Sequence, residues 1–229
     1  MLAEKEKCTG CWACYNVCPK DCIEMEEDAI GFRYPVIDKD KCINCKKCEK
    51  CCPPLTKPQS YIGYQNLKSA WGGKANDETI RSHSSSGGIF SLLASNVIDK
   101  GGIVYGAALT DNNKRVKHIG IEHRDELAKL RGSKYVQSDI GDSYKKIKQD
   151  VENGRFVLFS GTPCQIQGLN SYLGREYKNL ITIEVICHGV PAPAIYRMYI
   201  DKMAQKLAGN ITKVVFRDEN GGGYTDYED

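Results

Sequence analysis

The sequence lacks long hydrophobic segments. No apolar run in its 229 residues approaches the roughly 18 residues that indicate a membrane span. The opening stretch, MLAEKEKC, contains no apolar stretch of the kind that a secretory signal requires. These absences predict a cytoplasmic protein without a membrane span.

Blocks of like charge are also missing. The chain has 32 Lys plus Arg and 29 Asp plus Glu, and neither sign forms a run of five or more. Such a balance does not predict binding to nucleic acid or to an acidic lipid surface. With 41% hydrophobic and 27% charged residues, the composition is that of one or two ordinary globular domains.

Cysteine is nearly absent after position 52. Ten of the 12 cysteines lie within the first 52 residues, and only Cys164 and Cys187 follow. A disulfide scaffold would require an oxidising compartment, for which the sequence shows no secretory signal. The crowding therefore favours metal ligation.

The crowded cysteines form an internal repeat. Both CTGCWACYNVCP, from position 8, and CINCKKCEKCCP, from position 42, contain C-x2-C-x2-C-x3-C-P, and equivalent cysteines are 34 positions apart. In bacterial two-cluster ferredoxins the first three cysteines of a run bind one 4Fe-4S cluster and the fourth binds the other. The predicted ligands are Cys8, Cys11, Cys14 and Cys52 for the first cluster, and Cys42, Cys45, Cys48 and Cys18 for the second.

Zinc is the alternative metal for a cysteine-rich segment. Zinc sites usually take C-x2-C pairs separated by a longer spacer, so three cysteines in series before Cys-Pro favour iron and sulfur. Cys22 and Cys51 lie outside the repeat and are predicted to pack beside the clusters as small apolar side chains. A redox or thiol-exchange role is the alternative for both. Between the two runs, IEMEEDAIGFRYPVID alternates apolar and polar residues around Gly31, which predicts a strand pair.

A domain boundary is predicted at PPLTKPQS, residues 53–60, where proline and polar residues concentrate. The boundary divides a ferredoxin-type domain, 1–57, from a second domain, 58–229. In the second domain strand-like and helix-like segments alternate, from YIGYQ (61–65) to ITKVVFRD (211–218). The predicted fold class is α+β, with a bacterial ferredoxin-like domain followed by a mixed α/β domain.

The first junction that suits chemistry is SHSSSGGIF. Its small residues, Ser84, Ser85, Ser86, Gly87 and Gly88, lead into a predicted helix. Backbone amides at a helix N-terminus favour a phosphate or pyrophosphate group. A simple helix cap is the alternative.

The second junction is FSGTPCQIQGL. Here Thr162 is predicted to cap a helix, with Gln165 as the partner in a capping box. Cys164 then lies in the first helical turn, where the helix dipole lowers the pKa of a thiol. A buried, unreactive cysteine is the alternative.

The third junction is EVICHGVPAP, where a predicted strand leads to Cys187 and His188. Ligands gather outside the carboxyl ends of strands in open α/β sheets, so both residues are candidates for a site. A structural histidine is the alternative to a proton donor.

Four motifs occur in one order after the two cysteine runs: SSSGGIFSLLA, RGSKYVQS, FSGTPCQIQGL and ICHGVPAP. On these motifs the chain resembles the coenzyme F420 hydrogenase/dehydrogenase beta-subunit family over nearly its whole length, with an N-terminal part at about 76–174 and the start of a C-terminal part at about 179–229. The resemblance implies an iron–sulfur flavoprotein oxidoreductase and a second domain of the flavin-binding type. FAD would pass electrons between the clusters and a soluble hydride carrier, F420 or NAD(P)H. The implied partners are a redox protein or hydrogenase/dehydrogenase subunits.

The same resemblance assigns roles to individual residues. Ser84, Ser85, Ser86, Gly87, Gly88, Arg131, Lys134 and Thr162 are implied to bind the flavin nucleotide. Arg131 and Lys134 suit phosphates or a reduced, anionic flavin. Cys164, Cys187 and His188 are implied to line the same crevice as catalytic residues.

The chain departs from the family pattern at its end. The family's C-terminal region continues well past the ITKVVFRD segment, whereas this chain stops at ENGGGYTDYED. By that comparison the chain is truncated, and part of the flavin or substrate site is expected to be missing. The alternatives are a non-catalytic ferredoxin-type electron-transfer module and a redox-sensing protein associated with polysaccharide biosynthesis.

Overall fold

A computed structural model of the chain describes residues 2–56 and 68–217. The predicted strand at 61–65 and the predicted domain boundary near residue 57 lie outside the described residues. Among the residues that are described, no helix is long and apolar enough to cross a membrane.

The N-terminal unit combines short helices with one hairpin. Its helices are α1 (Ala13–Val17), α2 (Lys47–Lys50) and α3 (Pro53–Thr56), and its strands are β1 (Ile23–Glu27) and β2 (Arg33–Ile37). The two strands pair antiparallel, with Ile23 opposite Ile37. Gly31 turns the chain between them with a φ of 94°, a conformation that favours glycine. The predicted strand pair is therefore confirmed.

The second unit is built on a five-stranded mixed sheet in the order β5-β4-β3-β6-β7. Its strands are β3 (Ile103–Thr110), β4 (Arg115–Ile121), β5 (Ser138–Asp139), β6 (Val157–Gly161) and β7 (Leu180–Glu184). Strands β3 and β4 form an antiparallel hairpin. The other neighbouring pairs are parallel, so the carboxyl ends of β3, β6 and β7 share one edge of the sheet.

Helices connect and cover these strands. They are α4 (Glu78–Ser82), α5 (Ile89–Asp99), α6 (Leu127–Leu130), α7 (Ser143–Glu152), α8 (Pro163–Leu173) and α9 (Pro193–Lys206), with a 3-10 turn at Arg124–Glu126 before α6. Helices and mixed sheets occur together, which confirms the α+β class.

Alternation along the strands builds a core on each face of the sheet. Tyr105 of β3 and Phe159 of β6 pack on one face with Tyr144 of α7. Val104 and Leu158, their neighbours in the two strands, pack on the other face beside α5. Each fully buried side chain of this size contributes about 1.5–3 kcal/mol through removal from water.

The N-terminal unit shares the first of these two cores. Trp12 and Met25 pack in the same buried cluster as Tyr144. Buried Asn16 donates from Nδ2 to the Gly141 carbonyl oxygen at 2.9 Å. This packing places the cysteine runs directly beside α7 and α8.

Two segments differ from the sequence prediction. Strand β7 ends at Glu184, so Cys187 lies beyond the strand and not at its last residue. The strand predicted at 211–218 is absent over 211–217, where only an isolated bridge forms at Val215. Phe216 instead stacks on Tyr196 of α9, with ring centroids 5.6 Å apart. This segment is therefore held by contacts between aromatic rings and not by pairing in a sheet.

Candidate functional site

The first predicted cysteine set lines one cavity. Cys8, Cys11, Cys14 and Cys52 all lie in its wall. Trp12, Met25, Pro35 and Pro54 are among the residues that complete its wall. Three of the cysteines come from the first run and one from the end of the second.

The second predicted set lines another cavity. Cys18, Cys42, Cys45 and Cys48 line it together with Cys22. Three isoleucines, Ile23, Ile37 and Ile43, contribute apolar wall. The structure thus brings together both sets of four in the crossed arrangement that the repeat predicts.

The duplication extends to the backbone. Gly10 and Asn44 occupy equivalent positions of the two runs and have φ angles of 62° and 53°. Trp12 and Lys46 are also equivalent, with φ angles of 64° and 57°, and each precedes a short helix. Left-handed conformations are uncommon outside glycine. Both runs therefore adopt the same turn, which points the cysteine side chains toward a common space.

The thiols surround a space and do not meet at one point. Within residues 2–56 and 68–217, no group of three or more His, Cys, Asp or Glu side chains converges where one metal ion would sit. Burial raises the pKa of the Cys11 thiol to about 11. Without a metal this thiol is neutral at pH 7, so thiolate ligation there must release a proton.

The two cysteines outside the repeat are buried beside these sets. The Cys22 Sγ lies 3.3 Å from the Cys18 Sγ. Cys51 packs with Cys11 and Ala13, and its Sγ lies 3.5 Å from the Cys48 carbonyl oxygen. Both positions agree with the predicted packing role.

The serine–glycine loop and the RGSKY loop meet in space. The Ser133 N–H donates to the Ser85 Oγ at 3.0 Å. Arg131 donates from Nε to the Ser91 Oγ in the first turn of α5, also at 3.0 Å. Gly88 is the N-cap of α5 and has no side chain with which to cap this helix. The N-cap residue therefore leaves the first amides of α5 without a side-chain acceptor.

The other serines of the loop differ in their contacts. Ser84 donates from Oγ to the Ile80 carbonyl oxygen at 2.6 Å, so it is occupied within the loop. Ser86 is exposed. Gly87 lies so close to Gly73 that an added Cβ would fall 2.6 Å from the Gly73 carbonyl oxygen. Only glycine fits at this position.

Lys134 is held over its own loop. Its Nζ donates to the carbonyl oxygens of Arg131 at 2.7 Å and of Gly132 at 3.2 Å. Burial lowers the pKa of the Lys134 ammonium group to about 8. The group therefore carries a positive charge at neutral pH, although its pKa is below the usual range.

A series of buried hydrogen bonds that sequence reasoning missed supports the start of α8. The His118 Nε2 lies 3.0 Å from the Ser160 carbonyl oxygen, and its Nδ1 lies 3.1 Å from the Ser138 Oγ. Because a carbonyl only accepts, Nε2 carries the proton and Nδ1 accepts from Ser138. Gln165 donates to the Ser138 Oγ at 2.9 Å and accepts from the Thr162 N–H at 3.0 Å.

This series of buried hydrogen bonds connects strands β4, β5 and β6 with the N-terminus of α8. The predicted cap, with Thr162 before Pro163 and Gln165 as its partner, is therefore confirmed. Burial lowers the pKa of His118 to about 4, so the ring is neutral at pH 7. The sequence signalled only one member of this series of hydrogen bonds, the glutamine of the capping box, because the contacts of His118 are long-range.

Cys164 lies in the first turn of α8, with its Sγ 3.2 Å from the Thr162 Oγ1. Burial raises the pKa of its thiol, with Thr162 acting in the opposite direction. The expectation that the helix dipole would lower this pKa is therefore wrong, because desolvation is the larger effect.

The predicted residues of the third junction lie at the surface. Cys187 and His188 are both exposed after the end of β7. Cys187 is nevertheless close enough to Cys164 for its charge to raise the Cys164 pKa. The structure therefore brings the two cysteines to the same edge of the sheet, with His188 next to them in the chain.

A polar cleft that the sequence did not predict lies against Trp12. It has a volume of about 400 Å³, and its lining includes Arg33, Arg115, His118 and Asp139. Arg33 pairs with Asp139 at 3.3 Å, which joins the hairpin of the N-terminal unit to strand β5. Such long-range ion pairs have no local pattern, so no sequence signal pointed to the cleft.

Paired cysteine-lined cavities on a ferredoxin-type hairpin, packed against a mixed α/β sheet, are typical of an iron–sulfur protein with a second functional unit. Family models agree with this class. One 4Fe-4S dicluster domain model matches residues 7–54, and another matches 34–100. Models of the coenzyme F420 hydrogenase/dehydrogenase beta subunit match residues 70–143 with their N-terminal part and 154–228 with their C-terminal part.

The chain belongs to the coenzyme F420 hydrogenase/dehydrogenase beta-subunit family and carries a 4Fe-4S dicluster domain in front of the family region. The resemblance stated from the four motifs is confirmed.

Among solved structures nine chains match. One belongs to the F420-reducing NiFe hydrogenase complex from Methanosarcina barkeri, with 19% sequence identity and a TM-score of 0.47. The match covers 67% of this chain and 58% of that chain. No curated protein matches the sequence.

Proposed function

We propose that the chain is an oxidoreductase subunit that relays electrons between two 4Fe-4S clusters and FAD, with F420 or a nicotinamide as the soluble hydride carrier. The observation that carries the proposal is the grouping of the cysteines. Each predicted set of four, three from one run and one from the other, lines one cavity, and Cys22 also lines the second. That is the ligand arrangement of two-cluster ferredoxins.

The proposed ligands are Cys8, Cys11, Cys14 and Cys52 in the first cavity, and Cys42, Cys45, Cys48 and Cys18 in the second. Each iron of a 4Fe-4S cluster takes one thiolate, so the four sulfurs belong around a cage and not around one ion. Cysteines that line a cavity without converging on a point fit that requirement better than they fit zinc. When bound, the clusters supply one-electron transfer.

The proposed flavin site is the meeting point of the Ser84–Gly88 and Arg131–Tyr135 loops. Three features support it: the uncapped first turn of α5, the close backbone approach at Gly87, and the positive charge of Lys134. The α5 amides suit a pyrophosphate group. Arg131 holds the first turn through Ser91, and Lys134 stabilises negative charge nearby.

FAD bound there would supply both single-electron exchange with the clusters and hydride exchange with a carrier. We assign the rim of the same site to Thr162, Cys164, Cys187 and His188. Thr162 and Cys164 are positioned by the buried hydrogen bonds that link His118, Ser138 and Gln165. Exposed His188 is the candidate for moving a proton at the surface of the site.

Anaerobic purification and reconstitution test this proposal. With iron, sulfide and FAD supplied, we expect about eight irons and one FAD per chain. Lys134→Gln should weaken FAD retention several-fold with iron content unchanged. Lys129→Gln is the matched control, since Lys129 lies exposed on α6 and pairs with Glu126.

The results separate the two halves of the proposal. A chain with about eight irons, no flavin and no reduction of dyes by F420 or NADH would be a non-catalytic electron-transfer module. A chain that takes up no iron and sulfide would overturn the assignment of both cysteine sets.

A further inference from the structure

The two cysteine cavities differ in their access to the surface. In the first, Cys11 and Cys14 are buried, and the cavity lies against the core that Trp12 shares with the sheet. In the second, Cys45 is exposed and Ile43 retains 58% of its accessible surface. The second cavity is therefore the one that a macromolecule can approach.

The charge around the second cavity is positive. Lys20, Lys46 and Lys47 line it, and none of the described residues in its lining is a carboxylate. Neither Lys20 nor Lys47 forms an ion pair within the described part of the chain, whereas Glu49 lies near Lys46. These lysines therefore remain available to a partner.

Two carboxylates near this surface are already engaged. Asp21 binds Lys145 of α7 at 2.8 Å. Asp38 binds Lys41 at 3.0 Å. They therefore do little to neutralise the lysines at the cavity.

We propose that this surface, the lysine face formed by Lys20, Ile43, Cys45, Lys46 and Lys47, docks an acidic protein that carries single electrons. The inference rests on the proposed function, since it requires a cluster behind Cys45. A positive rim selects and orients an acidic partner, and exposed Ile43 supplies an apolar contact at its centre. In one encounter the carrier would lose one electron and a cluster held by the cysteines of the second cavity would gain it, with no bond formed or broken.

The lysine face is small, which suits a brief encounter. Electron-transfer complexes lie at the low end of interface sizes and depend on charge for their rate of association. Binding should therefore weaken as salt screens the charges over roughly 10 Å at 0.1 M ionic strength.

The test measures binding of a purified acidic two-cluster ferredoxin to the reconstituted full chain by calorimetry, from low to high NaCl. The variant Lys20→Glu/Lys47→Glu should bind it about tenfold or more weakly at low salt. The control Lys178→Glu/Lys206→Glu makes the same change in net charge at exposed positions elsewhere. It should bind like the wild type.

Iron content and the absorption spectrum are measured on every variant, because they report on the proposed clusters independently of docking. Lys20→Gln/Lys47→Gln is a second variant that removes charge without reversing it, and it should give an intermediate loss. Equal binding by the lysine-face and control variants, binding that ignores salt, or preference for basic cytochrome c would each overturn the proposal. Failure to take up iron would instead overturn the proposed function.

Discussion

Gly168 of α8 lies directly against Cys11 of the first cysteine run. A Cβ atom built on Gly168 falls 3.0 Å from the Cys11 Cβ and 3.1 Å from the Tyr144 hydroxyl oxygen. The helix approaches the run this closely because position 168 has no side chain. The same helix carries Cys164 one turn earlier, so the contact sets the distance between the first cavity and the edge of the sheet.

Gly168→Val should therefore separate α8 from the first run. We expect a loss of about 1–3 kcal/mol in the free energy of unfolding, because overpacking at a tight contact costs that much. Iron should also be lost preferentially from the first cavity. Chemical denaturation and iron analysis measure the two effects. Asn170→Val, at an exposed position of the same helix, is the control, and an equal loss there would show that the close contact is unimportant.

Cys18 and Cys22 allow a predicted cluster ligand to be distinguished from a cysteine that only packs beside it. Their Sγ atoms are 3.3 Å apart, yet only Cys18 belongs to the repeat. Cys18→Ala should reduce the iron content from about eight to about four per chain, because one of two 4Fe-4S clusters loses a ligand. Cys22→Ala should retain both clusters. Iron analysis and EPR of the reduced protein decide the matter, and equal iron loss in the two variants would reverse the assignment.

His118 should make stability depend on pH. Burial lowers its pKa from 6.5 to about 4, so between these values the unfolded chain binds a proton that the folded chain does not. The contribution of neutral, buried His118 to the free energy of unfolding is complete above pH 6.5 and is lost as pH falls toward 4. At about 1.4 kcal/mol per pKa unit, the loss from pH 7 to pH 5 is about 2 kcal/mol.

His118→Gln should therefore lose about 2 kcal/mol less than the wild type over that interval. Urea unfolding at pH 7 and pH 5 gives the difference. His188→Gln is the control, since His188 is exposed, and it should keep the wild-type dependence. Identical pH dependence in His118→Gln and the wild type would mean that the ring is not buried as a neutral group.

Trp12 separates the first cavity from the polar cleft, since it lines both. Trp12→Ala should cost about 3–5 kcal/mol in stability and admit water to the cluster site. Faster bleaching of the iron–sulfur absorbance in air would report the second effect, and Trp12→Phe should show it to a smaller degree. Trp71→Ala changes a tryptophan that is 90% exposed. Bleaching at one rate in all four proteins would rule out a shielding role.

Local patterns predicted much of the fold. The cysteine repeat, the alternation around Gly31 and the cap at Thr162 are all encoded within about a dozen neighbouring residues, so the sequence reveals them directly. The grouping of Cys18 with Cys42, Cys45 and Cys48 was predictable for a different reason, because the repeat matches the two-cluster ferredoxin pattern, in which the fourth cysteine of each run binds the other cluster.

Long-range contacts were not predictable. The hydrogen bonds of His118 reach Ser138 and Ser160, and nothing near His118 in the chain indicates those partners. The strand predicted at 211–218 failed because β-propensity describes a residue that has a neighbouring strand, whereas Phe216 packs on Tyr196. The Cys164 pKa was predicted in the wrong direction because sequence position reveals the helix terminus but not the depth of burial.

The crossed arrangement of the cysteines has a consequence for biosynthesis. Each cavity takes side chains from both runs, so the second set is incomplete until Cys48 has been synthesised and the first set until Cys52 has been. Until then the earlier cysteines belong to an incomplete chain that has no closed cavity for iron and sulfide. Delivery of the metal must therefore wait for the fold to close, and oxidation of the waiting thiols competes with it.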